Sequence, residues 1–116
     1  GMSVGGFQAI FISAHNPDAF DYVGLFSPFC RGPVRHSRYS SYFKNLEKLQ
    51  EGQFSRSPEL YMIGIGFYDF FLFHNDLYRL YLNGRKYPYL YLETPGGHDW
   101  PNWKEYMADF ATRCFK

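Results

Sequence analysis

The first ten residues, Gly1-Met2-Ser3-Val4-Gly5-Gly6-Phe7-Gln8-Ala9-Ile10, decide how the rest of the chain is read. Gly1 to Gly5 fit the pattern G-x-S-x-G, in which a serine sits on a sharp strand-to-helix turn with its hydroxyl exposed. Small neighbours allow the main chain to turn that tightly. Phe7, Ile10, Phe11 and Ala14 follow at spacings of three and four, which predicts a helix over Gly6 to His15. A helix that starts there leaves unpaired N–H groups beside Ser3, and the Val4 N–H is the candidate oxyanion donor. The competing reading is a glycine-rich opening without consequence. The helix directly behind the motif argues against it.

Outward from this turn the chain alternates. Asn16-Pro17-Asp18 stops the helix, because proline cannot continue its hydrogen bonding. Tyr22 to Phe26 and Leu60 to Ile65 are short apolar runs that read as buried strands, and Tyr87 to Glu93 reads as a third. Helices are predicted over Ser40 to Gln50, ending near Gly52, over Phe73 to Leu82, ending at Asn83-Gly84, and over Trp100 to Phe115. Arg31 to Arg38 reads as an irregular basic surface loop. Helix, strand, helix, strand, helix, strand, helix is the order of an α/β protein with about three parallel strands and crossover helices. The first helix has no strand of its own in front of it, so the expectation is one domain over residues 1–116 that forms part of a larger fold.

Two further residues fall where such folds gather their chemistry, at the C-terminal ends of the strands. Asp69 follows the second strand through Gly66-Phe67-Tyr68, and His98 follows the third through Pro95-Gly96-Gly97. Asp69 reads equally well as an imidazole-orienting acid or as a helix N-cap for Phe70 onward. His98 alone reads as a structural histidine. His15 and His74 fall on helices and His36 in the basic loop, and Asp18, Asp76 and Asp99 are less suitably placed. Taken together, Ser3, Asp69 and His98 occur in the order Ser…Asp…His, which is that of α/β-hydrolases and differs from the trypsin-like and subtilisin-like orders.

Composition narrows the alternatives. A formal net charge of +1 over 116 residues points to neither nucleic acid nor an anionic membrane as a partner. No apolar run approaches the roughly 20 residues of a membrane span. The opening residues carry no basic stretch and apolar segment of a secretory signal, which has no weight on secretion. Cys30 and Cys114 match no metal spacing and leave a disulfide open. Aromatic residues make up 22% of the chain and crowd Tyr61 to Tyr91, for which core packing and strand propensity are the first explanation. An aromatic surface for a ring-bearing or sugar ligand is the second.

Gly1-Met2-Ser3-Val4-Gly5-Gly6-Phe7, Asn16-Pro17-Asp18 and Phe20 to Ser27 closely resemble a family of serine esterases. It includes feruloyl esterases, acetyl xylan esterases (carbohydrate esterase family 1) and the esterase D or S-formylglutathione hydrolases. Gly66-Phe67-Tyr68-Asp69 resembles the segment with that family's triad acid. Gly96-Gly97-His98-Asp99-Trp100, with Trp103 and Phe110, resembles its histidine loop and final helix. The resemblance runs from end to end and implies the C-terminal half of an α/β-hydrolase fold. It also implies hydrolysis of feruloyl or acetyl esters on plant polysaccharide through an acyl-enzyme, without cofactor or metal. Ser3 would be nucleophile, His98 base and then acid, and Asp69 the residue that holds the imidazole. A periplasmic or secreted location is compatible with it.

The family's first half, with the strand before the serine and the second oxyanion donor, has no counterpart in these residues. One missing donor typically costs about 100- to 1000-fold in rate. A serine without its strand is expected to be loosely held. Two other readings stand beside the esterase: a non-catalytic α/β domain that forms a homo-oligomer through an exposed sheet edge, and a sugar-binding domain without turnover.

Overall fold

The computed structural model describes residues 1–30 and 40–115, with side chains from residue 45 onward in the second segment. The Arg31 to Arg38 loop, with His36, lies outside the described residues. Four helices alternate with three strands: α1 (Val4–His15), β1 (Tyr22–Phe26), α2 (Ser40–Ser55), β2 (Leu60–Gly66), α3 (Leu72–Gly84), β3 (Leu90–Thr94) and α4 (Trp100–Cys114). The sheet is parallel throughout, in the order β1-β2-β3. Val23 faces Tyr61 across the first pair, and Ile63 faces Tyr91 across the second.

Alternation along each strand divides the apolar residues between two layers. Val23 and Leu25 of β1 and Tyr61 and Ile63 of β2 join Ile10, Phe11 and Ala14 of α1, Leu46 and Phe54 of α2, and Tyr78 and Leu82 of α3 in one core. On the opposite face α4 lies over Gly24, Phe26 and Gly64, where a Cβ on Gly64 would fall 2.7 Å from the Tyr106 ring and one on Gly24 3.0 Å from Phe110. The absence of side chains at Gly24 and Gly64 is what brings α4 down onto the sheet.

Two boundaries differ from the sequence reading by three residues or more. Helix α2 passes through Gly52 and ends at Ser55, because Gln53 and Phe54 are buried there and Phe54 stacks on Tyr87 at 4.3 Å. That packing outweighs the roughly 1 kcal/mol a helical glycine costs. Strand β3 begins at Leu90 rather than Tyr87. The Tyr87 N–H closes the end of α3 on the Leu82 carbonyl at 3.0 Å, and Pro88 has no N–H to give a ladder.

The outer edge of β1 is partly covered. The Phe26 N–H donates to the Gly1 carbonyl (2.9 Å) and the Ser3 N–H to the Phe26 carbonyl (3.0 Å), so Met2 bridges Phe26 in parallel. Beside it an apolar groove of about 410 Å³ runs between Ala9, Ile12, Phe20, Tyr22, Phe26 and Phe110. No helix among the described residues is long and apolar enough to cross a membrane.

A buried polar knot in the larger core predicts how stability responds to alkali. Gln50 Nε2 donates to the hydroxyls of Tyr78 (2.6 Å) and Tyr61 (3.3 Å), which lie 2.7 Å apart. Burial raises both phenols above the usual tyrosine value and pushes the Cys30 thiol up to about 12. These groups keep their protons in the folded chain where the unfolded chain loses them, starting near 9.0 for the thiol and 10.0 for tyrosine. Above those values the unfolded state binds fewer protons, so stability falls as pH rises. Thermal melts should show a midpoint that holds up to about pH 9 and drops beyond about pH 10, less steeply in Tyr78→Phe.

Candidate active site

The strand-to-helix turn after β1's covered edge sets Ser3 in an unusual conformation, φ 54° and ψ −121°, directly before α1. Such a conformation costs a non-glycine residue of order 1–3 kcal/mol and persists only where its surroundings impose it. Here they do. The Ser3 N–H is bound to Phe26, and its carbonyl accepts from the N–H groups of Gly6 (2.9 Å), Phe29 (3.0 Å) and Phe7 (3.3 Å). The serine expected to be loose is therefore tied to β1, to α1 and to the segment after β1.

Among the described residues no glycine has a positive φ, so where a glycine is required here, at Gly1 and Gly6, the reason is space. A Cβ on Gly1 would fall 2.1 Å from the Gly5 carbonyl oxygen, and one on Gly6 2.7 Å from Pro28 Cβ. Gly5 has nothing within 4 Å. The close contacts around Ser3 thus fall on Gly1 and on Gly6, one residue past the motif, and not on Gly5.

Asp69 lies in the turn between β2 and α3 and is almost fully buried. Its two oxygens do separate work. Oδ1 accepts the Phe71 N–H at 2.8 Å, and Oδ2 lies 2.9 Å from His98 Nδ1. The first bond fixes the turn ahead of Leu72 without capping α3, whose N-cap is Phe71 with no side-chain cap bond, so the helix-cap reading of Asp69 is not met.

His98 stands in the loop after β3, and His98 Nε2 lies 3.0 Å from Ser3 Oγ. A carboxylate only accepts, so Nδ1 carries the proton toward Asp69 and Nε2 presents its lone pair to the Ser3 hydroxyl. Ser3, ahead of α1, and Asp69 and His98, after β2 and β3, are thereby brought into one line. Val4 is the first residue of α1, and its N–H has no carbonyl one turn back.

The loop that carries His98 is fastened by residues the sequence did not single out. Asn102 Nδ2 donates to the Gly97 carbonyl (2.8 Å), and its Oδ1 accepts from Thr94 Oγ1 (3.2 Å). Asp99 caps α4 by accepting the Asn102 N–H at 3.2 Å. Only the cap was legible, as aspartate two residues before proline at a helix start. The aromatic stretch divides: Tyr61 and Tyr78 are core, whereas Phe67, Tyr68, Phe70 and Phe73 are exposed near the loop ends. Phe70, 69% exposed, lies with its ring centroid 4.4 Å from that of His98.

His15, His74, Asp18, Asp76 and Asp99 stay outside the Ser3–His98–Asp69 line, and Cys30 and Cys114 are free thiols. Among the described residues no group of three or more His, Cys, Asp or Glu could hold a metal ion.

This sheet order, with a serine turn before the first helix and an acid and a histidine after the next two strands, is the C-terminal half of the α/β-hydrolase fold. No protein-family sequence profile and no curated protein sequence matches the chain. Solved structures do. An S-formylglutathione hydrolase (FrmB) from Staphylococcus aureus superposes with a TM-score of 0.73 at 20% identity, over 97% of this chain and 49% of its own. A ferulic acid esterase gives 0.70 at 21% identity, over 99% and 48%. The fluorophosphonate-binding serine hydrolase FphF of S. aureus, with substrate bound, gives 0.77 at 18% identity, over 100% and 53%. The chain spans about half the length of these structures.

Proposed function

We propose that this chain carries the catalytic residues of a serine carboxylic-ester hydrolase. The observation that supports it most is the continuous contact from Asp69 through His98 to Ser3, at 2.9 and 3.0 Å, on a serine held in a strained turn. Ser3 Oγ attacks the ester carbonyl as His98 Nε2 takes its proton, while Asp69 stabilises the imidazolium that forms. The Val4 N–H donates to the oxygen that gains charge. Collapse of the tetrahedral intermediate breaks the ester C–O bond, and the leaving alcohol takes the proton from Nε2. Water, activated by the same nitrogen, then frees Ser3 as the acid departs.

The substrate class we infer is a feruloyl or acetyl ester of plant polysaccharide, or a small ester of the same acids. The sequence resemblance favours it, and the exposed Phe70 ring beside His98 suits a phenolic acyl group. The decisive experiment combines a fluorophosphonate probe with chromogenic acetate and feruloyl esters. The expected result is one probe per chain, attached at Ser3, together with hydrolysis that Ser3→Ala abolishes. Equal labelling or equal rates in the two proteins would refute the reading.

A further inference from the structure

We propose that Trp103, anchored on Ser27, is a positioning residue that sets the plane of the His98 imidazole. The inference rests on the esterase reading for its consequence in turnover, though its geometry stands apart from it.

The two bonds of His98 fix Nδ1 and Nε2 and nothing else. A ring held at two atoms can still rock about the line that joins them. Proton transfer needs the Nε2 lone pair to lie along the Ser3 O–H, so that rocking has to be opposed by packing. Two rings stand perpendicular to the imidazole at the same separation. Phe71 lies at 5.1 Å and 87°, and Trp103 at 5.1 Å and 90°. Phe71 has its main chain fixed by the N–H it donates to Asp69 Oδ1, and its ring packs 5.3 Å from Phe29.

Trp103 comes from the other side of the sheet, on α4, and has its own anchor. Its indole Nε1–H donates to Ser27 Oγ at 3.1 Å. Ser27 is fully buried at the end of β1, in the left-handed region at φ 47°, with its N–H on the Gly64 carbonyl at 2.7 Å. A buried indole N–H almost always has an acceptor. Here the acceptor sits on the residue directly after β1, whose N–H is bonded to β2, so the indole is locked to the sheet rather than only to its own helix. Glycine is the residue ordinarily favoured at such a φ. A glycine there would supply no hydroxyl.

Trp103→Phe keeps a ring and removes the N–H; Ser27→Ala keeps the indole and removes its acceptor. Each should lower kcat for a chromogenic ester by about 10- to 100-fold with KM retained. The double variant should fall no further than the worse single one, because both break the same contact. A role confined to fold stability would not move the His98 Nδ1–H proton resonance in folded protein. Both variants are expected to make that proton exchange faster with water at a temperature where circular dichroism shows them folded.

Should Trp103→Phe fail to fold, Ser27→Ala, which leaves every ring in place, decides alone. Unchanged kcat and unchanged Nδ1–H exchange in a folded variant would overturn the proposal. If the unaltered chain shows no Ser3-dependent hydrolysis, the esterase reading fails, and the proton exchange still decides whether Trp103 sets the ring.

Discussion

Asp69→Asn should lower kcat by about 10⁴-fold while leaving the fold intact. The asymmetry of the carboxylate explains why both halves of that result are expected. Oδ1 accepts the Phe71 N–H, a bond the amide oxygen of asparagine can keep. The amide NH2 is then left facing His98 Nδ1, where Oδ2 stood at 2.9 Å. Two donors cannot face each other, so the imidazole shifts its proton to Nε2 and offers the lone pair at Nδ1. In that tautomer Nε2 has nothing with which to accept the Ser3 proton. Steady-state kinetics on a chromogenic ester, with melts of both proteins, checks the claim. A kcat within about tenfold of the unaltered protein would mean that Asp69 does not govern the tautomer.

Gly6→Ala should be damaging to both fold and rate, and Gly5→Ala beside it should be harmless to the fold. A Cβ on Gly6 meets Pro28 Cβ at 2.7 Å and Pro28 Cα at 2.8 Å, and neither atom belongs to a flexible side chain. Pro28 is itself held, because its carbonyl accepts Asn75 Nδ2 at 2.9 Å. Its neighbour Phe29 donates to the Ser3 carbonyl. Overpacking of this kind costs about 1–3 kcal/mol. The displacement passes through Phe29 to Ser3, and a misplacement near 1 Å costs about 100-fold in rate. Gly5 faces open space in helix α1, where alanine is more stable than glycine by roughly 0.5–1 kcal/mol. Opposite shifts in the melting midpoints of the two variants are the expected outcome; a fall in both would remove the distinction.

The residues that carry local signals were legible, and those defined by distant partners were not. Asp69 and His98 could be named because each follows a strand, and strand ends are visible as apolar runs that close on glycine, serine or proline; Ser3 was legible from its glycine-flanked motif ahead of a helix. The element order followed from the same runs. Helix α2 overran Gly52 because the reason to continue, the stacking of Phe54 on Tyr87, joins residues 33 apart in sequence. Strand β3 was drawn too early because Tyr87 and Tyr89 have strand propensity, which a core contact and a helix-closing bond override. The hold on Ser3 was missed for a similar reason. Its bonds come from Phe26 and Phe29, more than twenty residues away in sequence, rather than from a strand of its own. Asn102, Thr94 and the Ser27–Trp103 bond leave no periodicity at all.

The bare floor beneath α4 has a consequence for His98. With main-chain atoms at Gly24 and Gly64 under Phe110 and Tyr106, the height of α4 above the sheet is set by ring thickness alone. Tyr106 is pinned there by its hydroxyl, 2.5 Å from Thr94 Oγ1, so the helix cannot slide along that floor either. Asn102 and Trp103 ride on the same helix one turn away, the first gripping the histidine loop and the second facing the imidazole. The elevation of a helix on the sheet is in this way converted into the aim of one nitrogen. A methyl group added at Gly64, which touches none of the three residues in line, would raise the helix and spoil that aim from beneath.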